Sequence, residues 1–490
     1  MVMQTLLIGM LIMGEINHKC QVPTPHEIVV QMLNQVGYSK NVYGKRLLEN
    51  SCGTGGFLSE IVERYIQDCN DQNLSADQIR CGLQRDIHGF EKDRKLHKQC
   101  IANLEQIAHR HGIYGVHWNI KRKNALHATK SKKYQYVVGN PPYLAYPELD
   151  SNTRNFMRKT FVSCKKGKPD YYYAFIEIAL DALADDGKLI YLVPGNFMKN
   201  LHSEGLRQLL LPHLCEIIDY SHHKVFEKVL TSSVIIYCDR TRSVSTVRYE
   251  DRHYGRTYMM PKAKMCGKWL FDEKTTDGLV RFSDCFHASA PVATQLNNAF
   301  VINNWDENTE HGIRKGDILI EHAILKDAAG PKAMQRQIQE KIIFPYLFDE
   351  EGKVVRFTET QFRMHYPGAY RYLQKRYKEL VKRKADLNAK WFEYGRSQLL
   401  AHLNQPKLLL SSFITQQPRI YTIDHDTVPY AGICVVAKQG YTIEQAYTVL
   451  SSAAFMDYVR RVGVCTNGVS YRISPTDINS FFFSHDLLEG

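Results

Sequence analysis

The sequence predicts an α/β chain: a doubly wound, Rossmann-like parallel sheet, then a C-terminal α+β region. Three observations predict it. Between Gly44 and about Arg240, short β-branched or apolar runs alternate with segments of helical period, the pattern of successive βαβ units. A glycine-rich turn follows the first of those runs. Beyond Arg240 the rhythm changes to polar, turn-rich sequence up to about Pro261, followed by irregular apolar runs and one long basic helix. This divides the chain into residues 1–240 and 241–490.

In order along the chain, the expected strands are Arg46–Glu49, Ile87–Glu91, Tyr134–Gly139, Lys188–Val193, Glu216–Tyr220 and Ser233–Cys238. Between them, Phe57, Leu58, Ile61, Val62, Tyr65 and Ile66 trace one apolar helix face. Leu96, Cys100, Ile101, Leu104 and Ala108 trace another. In the second half, residues 369–392 read as a helix with Tyr370, Leu373, Tyr377 and Leu380 on one face and Lys375, Arg376, Lys378, Lys382, Arg383 and Lys384 on the rest.

Composition narrows the function. With 490 residues the chain can bury a large core without staples. Its 63 Lys+Arg against 51 Asp+Glu give a net charge of +12, which favours polyanions such as nucleic acid. Hydrophobic content of 44% excludes a disordered or multi-span membrane chain. The 12 cysteines never form a C-x2-C pair, and the closest two are Cys69 and Cys81, so they read as reduced thiols of a cytoplasmic protein with no metal site. Val2 to Met13 is apolar but lacks a basic leading segment and a small-residue cleavage site and is shorter than the roughly 20 residues of a membrane span, so it reads as a helix packing on the body or as a poorly chosen start site.

Leu47 to Leu58 reads as strand, glycine-rich turn, helix. Gly53, Gly55 and Gly56 remove side chains where the backbone must turn sharply and a small anionic or zwitterionic ligand can lie on main-chain amides. Glu91, closing the next strand, is a carboxylate acceptor for ribose hydroxyls. No Gly-Lys-Ser/Thr follows the turn, and it departs from G-x-G-x-x-G, which disfavours a phosphate loop and a nicotinamide cofactor.

After the strand Tyr136-Val137-Val138-Gly139 comes Asn140-Pro141-Pro142-Tyr143. Two prolines hold the main chain extended and rigid. The Asn140 side-chain oxygen and the Pro141 carbonyl can both accept from one planar amino group, while the Tyr143 ring stacks on its heterocycle. Two acceptors turn the amine lone pair out of the ring plane, ready for in-line attack on a sulfonium methyl. That chemistry is N-methylation.

These residues resemble the gamma-type, TaqI-like adenine-N6 DNA methyltransferases of restriction–modification systems. The resemblance covers the catalytic half well and the rest more loosely. It implies S-adenosyl-L-methionine as cofactor, with Thr24 in the N-terminal cofactor motif, Glu49, Ser51, Cys52, Gly53 and Gly55 in the cofactor loop, Glu91 on the ribose and Asn140 to Tyr143 as the catalytic tetrapeptide. By the same resemblance Phe175 lies against the cofactor adenine, and Phe226 stacks opposite Tyr143 on a flipped-out base. The usual Asp-Pro before the turn is Glu49-Asn50 here, and the acidic contact expected before Ala125-Leu126 is Asn124.

The implied partners are double-stranded DNA and a cognate restriction endonuclease acting on the same site. A flipped base costs a few kcal/mol of unstacking, which phosphate contacts must offset. Lys121-Arg122-Lys123, Lys130 with Lys132-Lys133, Lys165-Lys166 with Lys168, and the basic helix are candidates. Leu144 to Pro169 reads as a polar lid, and residues beyond about Pro261 as the target-recognition domain, where Trp391, Tyr394, Gly395 and Arg396 resemble the family pattern. Two alternatives stand beside adenine: cytosine-N4 methylation, whose more usual tetrapeptide is Ser-Pro-Pro-Tyr, and protein glutamine-N5 methylation, whose compact enzymes lack the basic C-terminal region. His222 and His223 read as satisfied surface histidines.

Overall fold

The computed structural model describes residues 23–128, 133–221, 232–271, 276–396, 399–466 and 469–489. Val2 to Met13, Lys130, Lys132, His222, His223 and Phe226 lie outside them. The chain forms two compact units, Met1–Glu273 and Lys274–Gly490.

The first unit is built on one sheet of nine strands: β1 Leu47–Glu49, β2 Ile87–Phe90, β3 Asn119–Lys121, β4 Tyr134–Gly139, β5 Leu183–Pro194, β6 Leu214–Asp219, β7 Ser233–Asp239, β8 Thr246–Asp251 and β9 Arg256–Pro261. Their order is 3-2-1-4-5-7-6-8-9. β1 runs parallel to both β2 and β4, and β4 to β5, while β7 is antiparallel to β5 and β6. The strand order therefore reverses between β1 and β4, and their carboxyl ends open the crevice where such sheets bind ligands.

Seven α-helices matter here: α1 His26–Val36, α2 Gly56–Asp71, α3 Ala76–Asp86, α4 Arg94–Arg110, α5 Ser151–Thr160, α6 Tyr172–Ala182 and α7 Glu204–Leu210. The helical period of the sequence has its cause in packing. On α2, Phe57, Leu58, Ile61, Val62, Tyr65 and Ile66 are all buried, each side chain contributing about 1.5–3 kcal/mol. On α4 the buried set is Cys100, Leu104, Ile107 and Ala108, and Asp93 caps the helix by accepting from the Lys95 and Leu96 amides. Ser75 and Gln78 form a reciprocal capping box that starts α3.

Two expectations about organisation need correction. The polar stretch after Arg240 holds the β8–β9 hairpin; β8 pairs in parallel with β6, so the first unit runs past residue 240. Turn-rich composition there marked a hairpin in the same sheet. The second unit is α+β, with two four-stranded sheets, one of them Phe286–Ser289, Ile433–Ala437, Lys407–Leu410 and Ile420–Ile423 in spatial order. The long basic helix is absent as such: Pro367–Gln374 and Tyr377–Lys382 are two short helices, and the chain leaves helical geometry at Arg383, whose ψ is 155°. The Arg383 guanidinium instead donates to the carbonyls of Thr294, Lys390, Trp391 and Glu393, a tertiary tie that outweighs helix propensity. Tyr394 belongs to the core, its hydroxyl on the Ile343 carbonyl and its amide on the Tyr346 hydroxyl.

Candidate methyl-transfer site

The glycine turn leaves β1 at Glu49. Gly53 (φ +53°) and Gly55 (φ +89°) occupy the left-handed region, which a side chain would strain. They differ in surroundings. A Cβ on Gly53 would meet nothing within 4 Å, whereas one on Gly55 would fall 2.9 Å from the Cys100 sulfur of α4. Gly55 thus serves helix packing, and Gly53 faces open space. Cys52 is buried beside Cys100, and that neighbour together with burial drives its thiol pKa far up, so Cys52 is an inert part of the wall.

Glu91 holds the turn from the next strand. One carboxylate oxygen accepts from the Gly53 amide at 3.0 Å and the other from the Asp93 amide at 2.7 Å. Each oxygen keeps a second lone pair, so the group both braces the loop and remains an acceptor. Glu49 is fully enclosed, and burial, then the Cys100 thiol, lift its carboxyl well above the usual range against the opposing Leu58 amide, with Glu91 adding to the rise. Among the described residues its Oε2 has no partner.

The Asn-Pro-Pro-Tyr corner follows β4 directly. The β1–β4 register, Leu48 opposite Val137, sets the two turns side by side, and the Ser51 hydroxyl donates to the Asn140 carbonyl at 3.3 Å. The Asn140 Nδ2 donates to the Thr24 hydroxyl at 3.1 Å, and its Oδ1 is buried with no hydrogen-bond donor among the described residues. Pro141 is buried and Pro142 half-buried. The half-buried Tyr143 ring meets Tyr172 edge-on at 6.3 Å, and its hydroxyl donates to the Leu192 carbonyl at 2.9 Å, which fixes the ring plane.

Most predicted residues therefore converge on the β1/β4 crevice, with three differences. Thr24, expected at the cofactor, holds the Asn140 amide; the partners are 116 residues apart, beyond any local signal. Asn124 spends its Oδ1 on the Leu126 amide at 3.1 Å, capping a short 3-10 turn, because an Asn before a tight turn caps it readily. Phe175 is 4% exposed within the core, 5.1 Å from the Tyr171 ring, and only its carbonyl reaches toward the site, accepting from Asn50. Phe226 lies outside the described residues. What the sequence reading missed is the support behind Tyr143: Tyr172 donates to Asn196 Oδ1 at 2.7 Å, and Asn196 donates to Asp170 at 3.3 Å. The run Asp170-Tyr171-Tyr172-Tyr173 was the available clue.

Residues 58–226 match the model of the Eco57I restriction-modification methylase family. The chain is similar, at 21% identity over 534 residues, to the type II restriction enzyme and methyltransferase RM.Eco57I of Escherichia coli, covering 88% of this chain and 53% of that protein. It is 25% identical over 230 residues to the type II methyltransferase M.BstVI of Geobacillus stearothermophilus, covering 44% of this chain and 41% of the relative. The chain thus spans about half, or less, of the length of these relatives. Among solved structures, the type IIL restriction-modification enzyme MmeI in complex with DNA superimposes with a TM-score of 0.56 at 14% identity, over 94% of this chain and 66% of that one. A nuclease-deletion mutant of the type ISP enzyme LlaGI with a DNA substrate mimic gives 0.56 at 12% identity, over 94% and 46%. The methyl donor of the methylase family is S-adenosylmethionine. Among the described residues no helix is long and apolar enough to cross a membrane.

Proposed function

On a chain whose residues 58–226 carry an Eco57I-type restriction–modification methylase region, we propose site-specific methylation of the N6 amino group of an adenine flipped out of duplex DNA. The observation that supports this most is the enclosed, donorless Oδ1 of Asn140 at the sheet's switch point. A buried acceptor left unpaired costs about 1–3 kcal/mol, a cost that a substrate NH2 removes.

The crevice fits S-adenosylmethionine on observations of its own. Gly53 leaves the backbone open to a ligand, Glu91 keeps acceptor capacity, and Glu49 Oε2 is a buried polar atom with no partner among the described residues. Bound there, the cofactor supplies an electrophilic methyl group on a sulfonium. Asn140 Oδ1 and the Pro141 carbonyl each accept one N6 hydrogen, which localises the nitrogen lone pair for attack. Thr24 and Ser51 keep Asn140 from rotating. Tyr143, its plane fixed by Leu192, offers a face for the base. With the methyl group supplied by the bound cofactor, Asn140 and Pro141 would hold the amine for direct attack and its displaced proton would pass to solvent, so no covalent enzyme adduct is needed.

Asn at the first tetrapeptide position favours adenine over cytosine-N4, and the net charge of +12, with a large second unit that the compact glutamine enzymes lack, favours DNA over a protein glutamine. A nuclease reading the same site completes the restriction–modification assignment. Transfer of tritium from labelled cofactor to plasmid DNA, followed by nucleoside analysis, tests it. N6-methyladenine is expected; label in protein or in N4-methylcytosine refutes it.

A further inference from the structure

Seven residues beyond the tetrapeptide, between Asp150 and Asp170, residues 151–168 carry Arg154, Arg158, Lys159, Lys165, Lys166 and Lys168 and not one Asp or Glu. Among the described residues none of the six is paired with a carboxylate. Six like charges without an ion-pair partner on one short surface stretch repel one another and attract a polyanion.

The stretch is stiff. Tyr171 donates its amide to the Leu144 carbonyl at 2.9 Å, closing the two ends. The buried carboxylate of Glu177 on α6 accepts from the Val162 and Ser163 amides at 2.9 and 2.8 Å. Arg154 and Arg158 both lie over the Tyr146 ring at 5.3 Å, and Arg158 donates to the Gly167 carbonyl at 2.6 Å. Gly167, at φ +71°, runs so close to His202 that a Cβ there would fall 2.4 Å from its ring. Arg154 and Arg158 thereby act as scaffold, and the exposed Lys165, Lys166 and Lys168 project from a braced turn. A backbone already braced loses little further entropy when the side chains it carries meet a ligand.

We propose that this strap is a phosphodiester clamp, with Lys165, Lys166 and Lys168 gripping the backbone of the DNA whose base enters the site beside Tyr143. The clamp rests on the reading of DNA as substrate and adds where the first unit holds the strand.

The test compares the full chain carrying Lys165→Gln, Lys166→Gln and Lys168→Gln with a control of equal charge loss, Lys40→Gln, Lys95→Gln and Lys98→Gln. Duplex affinity is measured by fluorescence anisotropy across a salt series, with single-turnover methyl transfer at saturating DNA. Losing three phosphate contacts flattens the slope of log K against log salt by about 2.7 and weakens binding roughly tenfold or more near 0.1 M salt. The saturated transfer rate and cofactor affinity stay unchanged, and the control moves the slope by less than about 1. An unchanged slope in the strap variant, or an equal change in the control, overturns the clamp while DNA methylation stands. A wild-type chain that labels protein and not DNA overturns the substrate reading itself, whatever the slopes.

Discussion

Asn140→Ala separates chemistry from architecture, because the two atoms of the amide do different things. Nδ2 donates to Thr24 at 3.1 Å, and losing that bond costs about 1 kcal/mol of stability. Oδ1 is buried without a donor, and deleting it returns about 1–3 kcal/mol. The variant should therefore unfold at the same or a higher denaturant concentration than the parent, by roughly 0–2 kcal/mol. Transfer should fall sharply: removing one preorganised hydrogen-bond partner of a transition state costs about 2.7–4 kcal/mol, or 10²–10³ in rate. The assay pairs urea unfolding with single-turnover transfer from labelled cofactor to duplex DNA, and equilibrium dialysis of the cofactor. Preserved stability, preserved cofactor affinity and a rate loss of that size are expected. A variant that loses cofactor affinity at unchanged rate, or that is destabilised by several kcal/mol, would refute the assignment of Oδ1 to the amine.

Tyr143→Phe removes only the bond to Leu192 and should cost about 1 kcal/mol of stability with transfer within a few-fold, whereas Tyr143→Ala also loses base stacking and should lower kcat/KM roughly 5- to 150-fold; equal kinetics for the two would show that the ring is not used. The raised Glu49 carboxyl means that the folded chain holds a proton the unfolded chain releases, so without cofactor this group's contribution to stability is present below about pH 4.5 and is lost as pH rises toward the folded-state value. Glu49→Gln should remove that decline, read as a flatter urea midpoint than the parent's as pH rises above about 4.5; parallel curves would contradict it. In the second unit, Arg383→Met strips donors from four carbonyls and should destabilise by about 3 kcal/mol or more. Hydrogen exchange should quicken around residues 294 and 390–394 while β1 and β4 stay protected, and uniform exchange across both units would count against a local tie.

Where one short segment carries its own physics, the sequence sufficed. Glycines at 53 and 55 specify a turn because only they occupy left-handed backbone cheaply, and two prolines stiffen the corner at 141–142 whatever surrounds them. The apolar faces of α2 and α4 were legible because period 3.6 is a local property. Tertiary structure alone decided the rest. Thr24 reaching Asn140, Glu91 bracing the Gly53 amide and Arg383 reaching the Thr294 carbonyl all join groups far apart in the chain. The extension of the sheet through β8 and β9 is of the same kind, since strand pairing depends on a neighbour's edge and not on the strand's own composition. A sequence states what each residue can do; which partner meets it is settled by the closing of long loops, whose energetics no local pattern encodes.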